Sequence, residues 1–262
     1  MKNSSVKSNS RIIYLSVGSM LLGVLFIDIY GIIIKFLGDA YSTNQVVLFR
    51  NLFAIIPLVA LIFYTNENLK IFKKTTKKFI ILCFIRGQCF LFMNFFYFIA
   101  INNMDFATAS TLTFSATFFI VILSIFFLND KVGIYRWSAV IIGFAGVAMI
   151  MKPTSDVFSY YSIYPVMVAL LYSIAIIILK FIPKHNSTAK IQFYSLISSI
   201  IGAIVLWAIT FDTKFIQSYK DLLMLISIGI LGGSAGILFI YAYRLIEASK
   251  LAVFEYLAIP SS

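Results

Sequence analysis

Arg86, Cys89, Met93 and Tyr97 recur at intervals of three and four, so on a helix they share one face. Asn94 borders that face. All five lie in an apolar run at about 79–101, with Arg86 about seven residues in from one end, too deep for its guanidinium to snorkel easily. A charge held there costs several kcal/mol unless it faces protein or water. The chemistry open to such a face is recognition of an anionic or zwitterionic solute. Arg50, about four residues inside another apolar run, either recognises a carboxylate or phosphate through its fork of donors or serves as a helix-end anchor or strut. Asp28 lies at a similar depth in the first run, so it can pair with Arg50 or share a ligand with it. For Asp28 and Glu255 two readings stand side by side: a proton-coupling or cation-binding acid, and a neutral acid in an interhelical hydrogen bond. Tyr97, Tyr241 and the phenylalanine clusters could stack a planar solute, although core and lipid-facing packing is the commoner work of such rings.

Catalytic chemistry finds no equipment. His185 is the single histidine and falls in a loop, and no zinc set, Ser/His/Asp set or phosphate loop can be assembled. No catalytic residue, metal ligand or cofactor is expected. Cys83 and Cys89, six residues apart in one run, rise about 9 Å along a helix and point to different faces, so they cannot pair with each other. "GGSAG" at Gly232–Gly236 lies inside an apolar run, which favours helix packing over phosphate binding.

These residues must be held by membrane helices. Of 262 residues, 61% are hydrophobic and 12% charged, about half the charged share of a soluble domain. Runs of spanning length occur at about 12–34, 46–64, 79–101, 106–128, 133–151, 160–182, 191–211 and 222–245. No alternation of barrel type is visible, so the runs are read as helices. The first follows Lys2, Lys7 and Arg11 like a signal peptide, but its length and the lack of a small-x-small site mark it as a retained helix.

Charge then sets orientation. With the N-terminus in the cytoplasm, fifteen Lys and Arg fall in cytoplasmic segments and four (Lys35, Lys152, Lys214, Lys220) in outer ones. The net charge of +11 is therefore a topology signal, and no nucleic-acid partner is expected. The partners expected are the lipid bilayer and a small-molecule solute, with a homodimer left open.

An offset of 144 residues brings Tyr97 onto Tyr241, and one of 147 brings Gln45 onto Gln192. Five spans would then repeat, and an odd number per unit inverts the second copy in the membrane. "LFRNLFAIIPL" (Leu48–Leu58), "FFYFIAINNMDFATASTLTFSATFF" (Phe95–Phe119), "FFLNDKVGIYRWSAVIIGFAGVAMIMKP" (Phe126–Pro153) and "AYRLIEASKLAVFEYLAIP" (Ala242–Pro260) resemble EamA-type permeases of the drug/metabolite transporter superfamily. Gly143, Gly146 and Pro153 match the small-residue fifth helix of that family. Asn129-Asp130 stands where the family usually has Gly-Glu. "YRLIEASKLAVFEY" also looks like members that move S-adenosylmethionine or other nucleoside- and flavin-like metabolites.

The resemblance implies an all-α integral membrane protein with inverted five-helix repeats, at 1–153 and 154–262. The implied function is a secondary permease in a bacterial cytoplasmic (inner) membrane, moving a small amphipathic metabolite such as S-adenosylmethionine, an amino acid or a flavin by alternating access. The alternative is a membrane protein that does not transport, such as an assembly partner or an inactive permease. From Leu251 twelve residues give about 18 Å of helix against a hydrocarbon core of roughly 30 Å. The ten-helix fold is thus expected to be truncated within its ninth helix, with that segment helical and Glu255 facing the cavity.

Overall fold

A computed structural model describes residues 2–67, 75–130, 160–210, 214–216 and 218–255, with scattered positions between 132 and 145. Seven of the expected runs are helices of spanning length and hydropathy: Arg11–Leu37, Thr43–Tyr64, Lys77–Asn103, Phe106–Leu128, Tyr160–Phe181, Thr188–Thr210 and Tyr219–Leu245. The chain is a multi-pass membrane protein, and no strand occurs among the described residues. The run at 133–151, with Gly143 and Gly146, lies outside the described residues apart from those scattered positions, as does Pro153.

The helices are numbered α1 (Lys2–Leu37), α2 (Thr43–Tyr64), α3 (Lys77–Asn103), α4 (Phe106–Leu128), α5 (Ile163–Phe181), α6 (Thr188–Thr210), α7 (Tyr219–Leu245) and α8 (Ala248–Glu255). The final segment is thus helical from Ala248 to Glu255. Residues 256–262 and the Glu255 side chain lie outside the described residues.

Local chemistry sets the ends. Ser42 and Thr76 cap α2 and α3, their hydroxyls accepting from the backbone N–H of Gln45 (3.4 Å) and Phe79 (3.3 Å). Asn129 closes α4 with φ of 54°, a left-handed position that glycine fills easily and asparagine tolerates. Asn can therefore stand there in place of the family's Gly. The neighbouring Asp130 accepts from the Ser249 hydroxyl at 2.9 Å, tying the end of α4 to the start of α8.

On α1 the exposed Leu22, Leu25, Ile29 and Ile32 recur at three and four, a lipid-facing stripe. The buried Met20, Val24, Asp28, Tyr30 and Ile34 face the bundle instead.

Two spans are interrupted near their middles. α2 breaks at Ala54, where Pro57 offers no N–H to the carbonyl of Phe53. α4 breaks at Phe114-Ser115, beside hydroxyl side chains such as Thr113, which donates to the Ala109 carbonyl at 2.9 Å. Interrupted backbone survives at membrane depth only inside protein or beside a cavity, and both breaks lie close to one.

The packing repeats itself. α1 runs along α7, and α5 along α3; α2 packs on α7, and α6 on α3; α4 packs on α5, and α8 on α1. Each pair becomes the other when α1, α2, α3 and α4 are exchanged for α5, α6, α7 and α8. The self-exchanging pairs, α2 with α6 and α4 with α8, also touch. α2 and α6 are antiparallel: Gln45 near the start of α2 bonds Lys214 beyond the end of α6, while Glu67 beyond α2 accepts from Ser187 just before α6. The exchange therefore turns the second set of helices upside down.

Candidate solute site

Where α1, α3, α5 and α7 meet around the broken α2 and α4, the bundle holds a cavity of about 100 Å³. Its wall combines Asp28 and Tyr30 from α1, Arg50 from α2, Phe90, Met93 and Tyr97 from α3, Ser110, Thr113 and Phe114 from α4, and Tyr172 from α5. α7 presents Gly232, Ala235, Gly236 and Phe239. Aromatic edges interlock around it, with Tyr30–Tyr97 at 6.0 Å, Phe90–Tyr172 at 6.5 Å and Tyr172–Phe239 at 5.7 Å between ring centres. Asp28 and Arg50, expected at matching depth, do line one cavity.

Arg86 is 1% exposed and sits just beyond this wall. Its guanidinium lies 4.6 Å from the centre of the Phe90 ring, and Phe90 stands between it and the cavity. A second void, of about 20 Å³, joins Arg86 to Arg50 and is lined also by Asn51, Phe90, Gln192, Ser195 and Ser199. Arg50, 8% exposed, thus faces both spaces. Its Nη1 donates to the Asn51 amide oxygen at 3.2 Å, while its Nε is buried without a partner. Arg86 Nε and Nη2 are likewise buried without partners.

The glycines of α7 make this possible. A Cβ on Gly232 would lie 2.8 Å from Arg50 Nε, so the guanidinium rests against bare helix backbone. Gly229 and Gly233 admit Phe53 and Pro57 in the same way. The expectation that this run of glycines serves packing holds. What the sequence did not disclose is that one of them seats a charge from α2.

The expected site residues separate into three groups. Arg50, Met93, Tyr97 and Asp28 line the cavity, and Arg86 adjoins it through Phe90 and the small void. Asn94 is fully buried but turned onto its own helix, donating to the Phe90 carbonyl at 2.6 Å, and is not among the lining residues. Tyr241 is misplaced by the offset of 144: it is 41% exposed on the outer surface of α7. Tyr30, Tyr172, Phe90 and Phe239 supply the cavity's other rings, and they were not singled out because their faces are set by long-range helix pairing. At the end of the bundle formed by Lys180, Lys184, Arg244 and Lys250, with Asp130 and Glu247, a wider opening of about 810 Å³ is present. Arg86 does not line it.

The pattern that defines the EamA-like transporter family matches residues 14–152. The chain belongs to that family. Among curated relatives, the S-adenosylmethionine uptake transporter of Rickettsia bellii is 26% identical over 97% of this chain and 84% of its own length. The protein of the same name from Rickettsia conorii is 27% identical over 92% and 79%. A riboflavin transporter of Rhizobium johnstonii is 28% identical over 58% of this chain and 50% of its own. A solved crystal structure superposes with a TM-score of 0.71 at 15% identity, covering 95% of this chain and 85% of the other, and shows the same fold.

Proposed function

We propose that this EamA protein is a secondary permease for a small organic metabolite, which it holds in the central cavity and releases by alternating access. The observation that carries the reading is the cavity's position. It lies at the crossing of the exchanged helix pairs α1–α7 and α3–α5, beside the two interrupted spans. The names of the relatives agree with a solute of metabolite size. At about 100 Å³ the cavity is smaller than the roughly 300 Å³ where ordinary ligand pockets begin, so loading requires the bundle to part. In this reading the first five-helix unit spans 1–153, the helices of the second repeat follow within 154–262, and the N-terminus lies in the cytoplasm. Tyr97 and Met93 then contact solute, and Asp28 takes part in cation pairing or proton coupling.

The test is uptake of radiolabelled S-adenosylmethionine and of riboflavin into liposomes containing the purified chain. Time-dependent, saturable accumulation of either above empty liposomes is expected. Exchange of neither solute across a range of imposed pH and sodium gradients, with the protein correctly folded, would remove the permease reading for these classes.

A further inference from the structure

We propose that Arg86 and Arg50 form a carboxylate subsite, so that the solute of the central cavity carries a carboxylate on an apolar or aromatic body. This rests on the permease reading and names the chemistry of its cargo. The two arginines are 1% and 8% exposed, and among the described residues no acidic one lines the void between them. Arginine does not escape burial by losing its proton, so a buried guanidinium needs an anion or a full set of acceptors. For Arg86, Nε and Nη2 are left without either among the described residues. The ring of Phe90 faces Arg86, but this cation–π contact leaves Nε and Nη2 without an acceptor oxygen.

The orphaned donors identify the shape of the missing partner. Arg86 lacks partners at Nε and Nη2, the two N–H groups that point the same way along one edge of the plane. That edge matches the two oxygens of a carboxylate in a bidentate pair. Arg50 Nε supplies a third unpartnered donor to the same void. Of the nearby acceptors, the Asn51 oxygen is taken by Arg50 Nη1, and although Ser199, which donates to the Gly87 carbonyl at 2.6 Å, lines the void with Ser195 and Gln192, none of the three bonds Arg86 Nε or Nη2. A single water needs about 10–15 Å³ of such space, so the 20 Å³ void favours the smaller carboxylate over a phosphate group. Phe90, shared by both spaces, would then separate the carboxylate from the body of the solute. Of the solutes named for the relatives, S-adenosylmethionine bears a carboxylate and riboflavin does not.

The test reads binding rather than flux. Thermal unfolding of the purified chain in detergent is followed with acetate, benzoate, methyl phosphate, acetamide or benzamide, each at the same ionic strength as a chloride control. Acetate and benzoate should raise Tm by a few degrees, and the amides should not. Arg86→Gln and Arg50→Gln should lose the shift, and Arg86→Lys should recover less than half of it, because it keeps the charge without the fork. Equal shifts from carboxylates, amides and chloride overturn the proposal. So does a shift that survives Arg86→Gln, or a larger one from methyl phosphate. Should Arg86→Gln fail to fold, Arg50→Gln and the wild-type panel make the same decision. Solute flux without carboxylate preference would sink this subsite and leave the permease standing. Carboxylate-dependent stabilisation without any flux would do the reverse.

Discussion

Lys35 and Lys180 hold the same contact at opposite ends of the bundle. Lys35, in the last turn of α1, donates to the carbonyls of Ile101 at 2.9 Å and Met104 at 3.2 Å, where α3 ends. Lys180, in the last turn of α5, donates to the carbonyls of Tyr243 and Ile246, where α7 ends. The two lysines are 145 residues apart, and so are Ile101 and Ile246. Each ammonium meets the unsatisfied carbonyls and negative pole of a helix C-terminus. Both ends are therefore tied across the cavity at once in this structure.

The ties should resist opening at one end each. A hydrogen bond to a charged group contributes about 1.5–3 kcal/mol, so removing one tie should favour the corresponding open state by on the order of tenfold. The reporter is Ser110→Cys, in the cavity wall, in a background lacking Cys83 and Cys89. Lys35→Ala should speed its labelling by an impermeant maleimide from the Lys35 side, and Lys180→Ala from the other. Unchanged rates in both variants would show that the ties play no part in access.

The orientation proposed above, with the N-terminus in the cytoplasm, rests on the fifteen-to-four bias of basic residues. Position 184 is exposed at the Lys180 end, and Phe215, 94% exposed, lies at the opposite one. In intact cells an impermeant maleimide should label Phe215→Cys and leave Lys184→Cys untouched until the membrane is broken. The opposite pattern would invert the topology.

The membrane spans were legible because apolar length is a local property of sequence, and seven of the eight expected runs reappear within a few residues. The break in α2 had a local sign in Pro57, whereas the break in α4 has no proline near it. The helical face shared by Arg86, Met93 and Tyr97 was legible for the same local reason, since three- and four-residue spacing needs no partner to define it. The seat of Arg50 on Gly232 was not, because it joins residues 182 positions apart. The internal offset shows how small an error suffices. At 145 residues Tyr97 falls on Ala242, which is fully buried, while 144 gives the exposed Tyr241. One residue rotates a side chain by about 100° around a helix, enough to turn it from cavity to lipid.

Tyr172 and Tyr241 should therefore behave differently. Tyr172 is buried between Phe90 and Phe239 in the cavity wall. Tyr172→Leu should raise the half-saturation constant for uptake severalfold, as expected if the wall loses one aromatic contact with the solute of about 0.5–1.5 kcal/mol. Tyr241→Leu should leave it within about twofold, the usual small effect of a surface change. Kinetics that reversed this order would place the solute elsewhere.

Two glycines of α7, one turn apart, separate the site from the scaffold. On Gly229 a Cβ would meet Phe53 Cβ at 2.3 Å and the Arg50 carbonyl at 3.0 Å. Neither can yield without moving α2, so Gly229→Ala should destabilise the fold by about 1–3 kcal/mol, lowering Tm by several degrees. On Gly232 the nearest atoms a Cβ would meet all belong to the guanidinium of Arg50, at 2.8 Å from Nε and 2.9 Å from Nη2. That group ends a flexible side chain and can swing away, so Gly232→Ala should keep Tm within about 2 °C while unseating Arg50. The stabilisation by acetate and benzoate should fall with it. A Gly232→Ala protein that keeps the full carboxylate response would mean that Arg50 binds no anion from its seat on α7.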